Sequence, residues 1–253
     1  MEERTTTIES GRSDHSPSQV LFPVPWNKRD IFWAIVLGVF VLLGLLVVIV
    51  LAIAIYQLAA GTESPPGLLI TLVLVAELGL LLPVWALGVH KYRLPWSSIG
   101  FRRFDMSRGL GLGCLFLLAA FGFNVVWSIV SDVFGLRAQP DALPLFGGGI
   151  AGLLLALLAG GLVAPVAEEA FFRGYVFAGL RQHLGLPAAV VISAALFAVA
   201  HVLPTSWPPI FVLGVLFAVL YQQTGSIWPA IVVHGMTNTL AFLASYVIQM
   251  LGA

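Results

Sequence analysis

Apolar residues run almost unbroken from Ile31 to Leu58, from Leu68 to Val89 and from Gly109 to Phe134. Each run has the length a helix needs to cross hydrocarbon, about 20 residues. The breaks between them are abrupt. Gly61 to Gly67 is a turn rich in helix breakers, His90 to Arg108 is polar and basic, and Gly135 to Pro144 is a second loop. A fourth run starts near Leu145 and is predicted to continue to about His183, although Pro165 removes a backbone hydrogen bond and should kink it just before Glu168. A fifth segment is expected over Ala188 to Leu203, closed by Pro204, Pro208 and Pro209. A sixth, Ile210 to Tyr221, is short for a full span; after a turn at Gln222 to Ser226, a seventh runs from Ile227 to about Met250 with Pro229 in its first turn. The pattern predicts an all-α membrane protein, a polytopic bundle of about seven transmembrane helices.

Composition agrees with a bilayer as the main solvent. Of 253 residues, 59% are hydrophobic and 9% charged, against about 25% charged in a typical soluble domain. The formal net charge is zero, which argues against nucleic acid as a partner. The single cysteine, Cys114, cannot close an internal disulfide. Residues 1–30 are polar, carry charges of both signs and read as a disordered tail. The apolar run after them is too long for a signal-peptide core of about 7–15 residues.

Lysine and arginine give an orientation. Arg4, Arg12, Lys28 and Arg29 precede the first segment. Lys91, Arg93, Arg102, Arg103 and Arg108 follow the second, Arg173 and Arg181 lie late in the fourth, and the alternate loops hold only Arg137. An integral, multi-pass protein with a cytoplasmic N-terminus is expected, its Glu168-Glu169 stretch near the cytoplasmic end of segment four. Three divisions follow: the tail at 1–30, the first helices with the basic loop at 31–144, and a catalytic core at 145–253.

Chemistry concentrates in that last division. Ionisable groups inside a membrane are costly and are usually retained for function. Glu169 and Arg173 are four apart and face each other on a helix, whereas Glu168 is rotated by about 100° and stays free to act as a base. Of five histidines, only His201 and His234 lie in apolar segments. His234 and Asn238 share a face of segment seven. A carboxylate to deprotonate water, histidines to hold it or protonate a leaving amine, and an asparagine as oxyanion donor make a hydrolytic set. The same residues could instead hold a zinc ion, through Glu168, His201 and His234. HExxH and GxSxG motifs are absent. Glu77 and Asn124 read as structural polar residues within the bundle, and Trp26, Trp33, Trp96 and Trp228 as anchors at the membrane interfaces.

Glu168-Glu169-x-x-x-Arg173, Phe197-x-x-x-His201 and His234-x-x-x-Asn238 occur in order on three apolar segments. Together they resemble the three motifs of the CPBP family, the CAAX-processing and bacteriocin-processing intramembrane proteases also called Abi proteins. The resemblance covers about Ile150 to Leu243. It implies hydrolysis of a peptide bond in a membrane cavity, in a peptide or protein substrate that lipidation would bring to the membrane in CAAX-type processing. It implies Glu168 as the base, aided by His201, with His234 and Asn238 at the oxyanion and Glu169 and Arg173 supporting the site. Metal-dependent and glutamate-only mechanisms both remain open. Two other readings stand beside it: a non-catalytic immunity or scaffold protein, and a small proton-coupled transporter, for which the internal repeat common in transporters is missing.

Overall fold

A computed structural model describes residues 23–62, 66–136, 141–201 and 203–252. Among them there is no strand. The helices are α1 (Lys28–Ala60), α2 (Ile70–His90), α3 (Met106–Val133), α4 (Gly149–Leu184), α5 (Leu186–Ala200), α6 (Pro204–Thr224) and α7 (Trp228–Gly252). Six are long and apolar enough to cross a membrane, and α5 is a shorter apolar helix. The chain is thus an all-α polytopic membrane bundle.

The short member is not the one the sequence pointed to. Pro208 and Pro209 lie in the first turn of the helix that begins at Trp207 rather than ending α5. First-turn N–H groups have no intrahelical partner, so proline there costs little. The helix is lengthened at its start and α5 is confined to 15 residues.

The bundle is organised around α4. From Glu169 to Phe177 every residue is buried, a run with no face left for lipid. By contrast, α1 buries only Asp30, Ile31, Ala34 and Gly38, and offers lipid most of its length. Residues 1–22 of the expected tail lie outside the described residues. Residues 23–27 lie against the far end of α4. Trp26, expected as an interface anchor, is fully buried, stacks on Tyr175 at 4.7 Å and donates its indole N–H to the Tyr175 carbonyl. Val24 N–H bonds to Gln182 Oε1 at 2.8 Å. Asn27 and Asp30 form a capping box for α1, and Asp30 also accepts from Lys91 Nζ and Tyr92 Oη at the end of α2.

These contacts sort the loops into two faces. The α2–α3 loop meets the α6–α7 turn, because Ser226 Oγ donates to the Arg102 carbonyl at 2.7 Å and Ile227 N–H to that of Gly100 at 3.0 Å. The start of α1 and the end of α4 lie on this same face. On the other face Asp141, in the α3–α4 loop, accepts from Ser245 Oγ and from Gln249 Nε2 near the end of α7. Partial burial raises the Asp141 pKa and these donors lower it; the donors win and leave it below the ordinary carboxylate value. The start of α1 and the end of α7 therefore lie on opposite faces.

Helices α5 and α6 pack closely. A Cβ at Gly214 would lie 2.9 Å from both Cα and Cβ of Ala194, so only glycine fits. Gly214→Leu is expected to destabilise the folded protein by about 1–3 kcal/mol or more through overpacking. The test is thermal unfolding in detergent; an unchanged midpoint would mean that this contact does not limit the fold.

Candidate active site

Pro165 shapes the central helix. The 36-residue α4 is not a uniform α-helix: Leu157–Val163 and Ala170–Phe177 are π-helical, and the α-helical turn Ala164–Glu169 lies between them. Such π insertions are rare and recur at functional sites. In the first, Ala164 N–H bonds to the carbonyl of Ala159, five residues back. The next bond in that register would run from residue 165 to Gly160, but Pro165 has no N–H. Asn238 Nδ2 donates to the Gly160 carbonyl instead, at 2.8 Å. One turn earlier on α7, a Cβ at Gly235 would come within 2.5 Å of the Gly161 carbonyl, so the two backbones touch there. The proline thus creates the docking point for α7, and α7 brings His234 and Asn238 to α4.

Glu168 and Glu169 lie near the middle of α4, not near its end, because the helix continues through the buried residues to Leu184. Their environments differ as the 100° rotation predicts. The Glu169 side chain is fully buried; its Oε1 accepts from Arg173 Nη1 at 2.8 Å and lies 3.0 Å from His234 Nδ1. The equally buried Arg173 reaches the Gly214 carbonyl through Nη2 at 3.4 Å. Its guanidinium lies 4.2 Å from the Phe197 ring centroid and 5.0 Å from that of Phe217. Such contacts strengthen where water is excluded. Glu168 Oε2 has no hydrogen-bond partner among the described residues and sits 3.9 Å from His234 Nε2.

The imidazoles are held from behind. A carboxylate at Nδ1 makes that nitrogen of His234 the donor, which leaves Nε2 toward Glu168. The ring stacks on Phe217, centroids 5.0 Å apart. His201 ends α5 with Nδ1 2.9 Å from the Phe197 carbonyl. A carbonyl only accepts, so Nδ1 carries the hydrogen and Nε2 is the free nitrogen. Phe197 meets both histidine rings edge-on. The histidine beside Glu168 is therefore His234, whereas the resemblance implied His201 as its aid.

His201, His234 and Asn238 line one cavity of about 380 Å³ between α3, α5, α6 and α7. Its walls are largely apolar, with Leu117, Phe121 and Leu213 among them. Asn124 also lines it, although it reads from the sequence as a link between helices. Its amide turns back to its own helix, donating to the Ala120 carbonyl at 2.9 Å. Glu77, on α2, lies within electrostatic reach of Glu168. Neither the Phe197–Arg173–Phe217 stack nor the capped Gly160 carbonyl was anticipated; Pro165 four residues before Glu169 was the available signal for the second.

Zinc ligation by Glu168, His201 and His234 does not fit this arrangement. Among the described residues no group of three or more His, Cys, Asp or Glu side chains is disposed to hold a metal ion. Of the two histidines only His234 stands beside Glu168, with Nε2 3.9 Å from Oε2.

Fold and site define a class: a polytopic membrane protein with a buried glutamate–histidine–asparagine cluster opening on an intramembrane cavity. Residues 150–240 match the family model described as Type II CAAX prenyl endopeptidase Rce1-like. That stretch carries all three motifs, and over it the chain is similar to the CAAX protease family. The Putative membrane peptidase YdiL of Bacillus subtilis (strain 168) is 28% identical over 128 residues, which is 51% of this chain and 52% of that protein. The match thus spans about half of either chain. No solved structure matches.

The double role of Asn238 gives a thermodynamic cycle. Asn238→Ala should orphan the Gly160 carbonyl and cost about 1–3 kcal/mol. Pro165→Ala restores an N–H to that carbonyl, so Asn238→Ala should cost measurably less in the Pro165→Ala background. Unfolding of the four proteins in one detergent checks this; additive losses would show that the two residues do not share the carbonyl.

Proposed function

We propose that the chain is an intramembrane endopeptidase that hydrolyses a peptide bond in a membrane-delivered peptide or protein, with Glu168 as the base that activates water. The observation that carries this reading is the unequal treatment of two adjacent carboxylates. Glu169 Oε1 is committed to Arg173 and His234, whereas Glu168 Oε2 has no hydrogen-bond partner among the described residues and lies beside His234 Nε2. A carboxylate committed to a guanidinium is a poor base; one held in an apolar surround without such a partner is a good one.

In the proposed reaction, water sits between Glu168 and His234 and gives its proton to Glu168 as its oxygen attacks the carbonyl carbon. Asn238 keeps a second amide N–H after bonding Gly160, and this donor meets the carbonyl oxygen as negative charge develops on it. Collapse of the tetrahedral intermediate breaks the C–N bond. The proton held by Glu168 passes to the leaving nitrogen, so acid and amine are released and the base is restored. The Nε2 atom of His201, free on the cavity wall, orients water or the leaving amine. Glu169 and Arg173 hold His234 in place. The substrate class is a peptide presented from within the membrane, in keeping with the CAAX description of the matching family model. The basic face, with Lys28, Lys91, Arg93, Arg102, Arg103 and Arg181, is placed in the cytoplasm by the positive-inside rule.

Glu168→Gln should lower hydrolysis by at least about a hundredfold while leaving the protein in the membrane. A deletion strain carrying wild type, Glu168→Gln or empty vector is compared by mass spectrometry of peptide termini in membrane and culture fractions. Termini present only with wild type establish proteolysis and identify the substrate. If Glu168→Gln restores every difference from the deletion strain, the chain acts by binding and the catalytic reading fails.

A further inference from the structure

The cavity has a polar group opposite the motifs. Leu117, Phe121 and Asn124 follow one another along α3 at spacings of four and three, so they form a single stripe, and all three line the cavity. Trp127, three residues beyond, fixes the rotation of α3 by donating to the Thr205 carbonyl at the start of α6, at 3.0 Å. The stripe is thereby turned toward His201, His234 and Asn238.

Asn124 does not tie helices together. Its one hydrogen bond among the described residues goes to its own helix, and the residue is exposed and lines the cavity. An asparagine deep in a membrane span has a cost that a merely structural bond to the preceding turn does not explain. Satisfying Ala120 uses one N–H and leaves a second N–H and the Oδ1 acceptor. One donor and one acceptor on a rigid amide match the N–H and C=O of a single residue in an extended strand, which point to the same side. A peptide bond within a membrane helix has both groups bonded internally; only an unwound segment offers them to a protein.

Building on the hydrolytic reading above, we propose that Asn124 is a substrate-binding residue that pairs with the N–H and C=O of one residue of the unwound peptide, beside the scissile bond. It recognises no side chain. It holds the strand in register across the cavity, so that one carbonyl rather than its neighbours lies near Asn238 and the attacking water.

The test uses the full chain in the deletion strain at graded expression, with wild type, Asn124→Leu, Asn124→Ser and Glu168→Gln compared by terminus mapping. Leucine is close in size and favours membrane insertion; serine keeps a short donor and acceptor. At equal membrane abundance and low expression, Asn124→Leu should reduce wild-type-dependent termini by about five- to tenfold, as expected for loss of a substrate hydrogen bond. It should also spread cleavage over adjacent bonds. Raised expression should recover the yield but not the single register, Asn124→Ser should lie between, and the unfolding midpoint should match wild type. Glu168→Gln should give no such termini at any expression. Wild-type yield and register with Asn124→Leu would overturn the assignment, and so would a loss explained wholly by a lower unfolding midpoint. If wild type gives no termini beyond those of Glu168→Gln, the hydrolytic reading fails and this inference falls with it.

Discussion

The structure depends on a buried ion pair. Arg173 and Glu169 are fully enclosed, four residues apart on one helix, in a region where lipid surrounds the bundle. Taking two charges out of water is costly, and only good geometry with further partners offsets it. Here the further partners come from three neighbouring helices: Phe197 on α5, Phe217 and the Gly214 carbonyl on α6, and His234 on α7. The pair can exist only if α5, α6 and α7 close around α4, so the energetic demand of two charges becomes a specification for assembly. The tight α5–α6 approach at Gly214 belongs to the same arrangement, since the glycine that admits Ala194 also presents its carbonyl to Arg173.

The second constraint is a missing hydrogen atom. Proline inside a helix normally leaves a carbonyl unsatisfied and strains the turn before it. Here the strain is absorbed as a π-helical stretch, and the orphaned Gly160 carbonyl becomes an attachment for another helix. Without a bulk polar solvent, an unsatisfied backbone group has to find a protein partner. That need selects an amide at position 238, and the same amide keeps a second donor for chemistry. Stability and the proposed oxyanion contact therefore draw on one side chain.

Much of this was legible in the sequence because the bilayer simplifies reading. Runs of about 20 apolar residues fix helices almost without reference to tertiary structure, and intramembrane charges stand out against them. The Glu169–Arg173 pairing followed from helical spacing alone. What could not be read was depth and proximity. Pro208 and Pro209 looked like a stop and are a start, because proline tolerance depends on which N–H groups lack partners. Trp26 looked like an interface anchor and is buried, because residues 23–27 lie against α4. His234, not His201, stands beside Glu168, since neighbours on different helices are set by packing and not by motif order. Asn124 could be placed in a membrane helix but not on the cavity wall, because rotation about the helix axis is fixed by the distant Trp127–Thr205 bond.

The site shows how one sequence doublet supplies two unlike groups. Glu168 and Glu169 are chemically identical and adjacent, so intrinsic chemistry cannot distinguish them. Helical rotation sends one to Arg173 and the other to the open side of His234. Every interaction that strengthens the Glu169 pair leaves less polar capacity for its neighbour. Arg173 closes on Glu169 through Nη1, and Glu77 brings a further carboxylate within electrostatic reach of Glu168. Three acidic groups share one guanidinium. In a bilayer that imbalance cannot be dissipated by water, so the two carboxylates of the doublet meet unlike surroundings, one closed against a guanidinium and an imidazole, the other facing His234 Nε2.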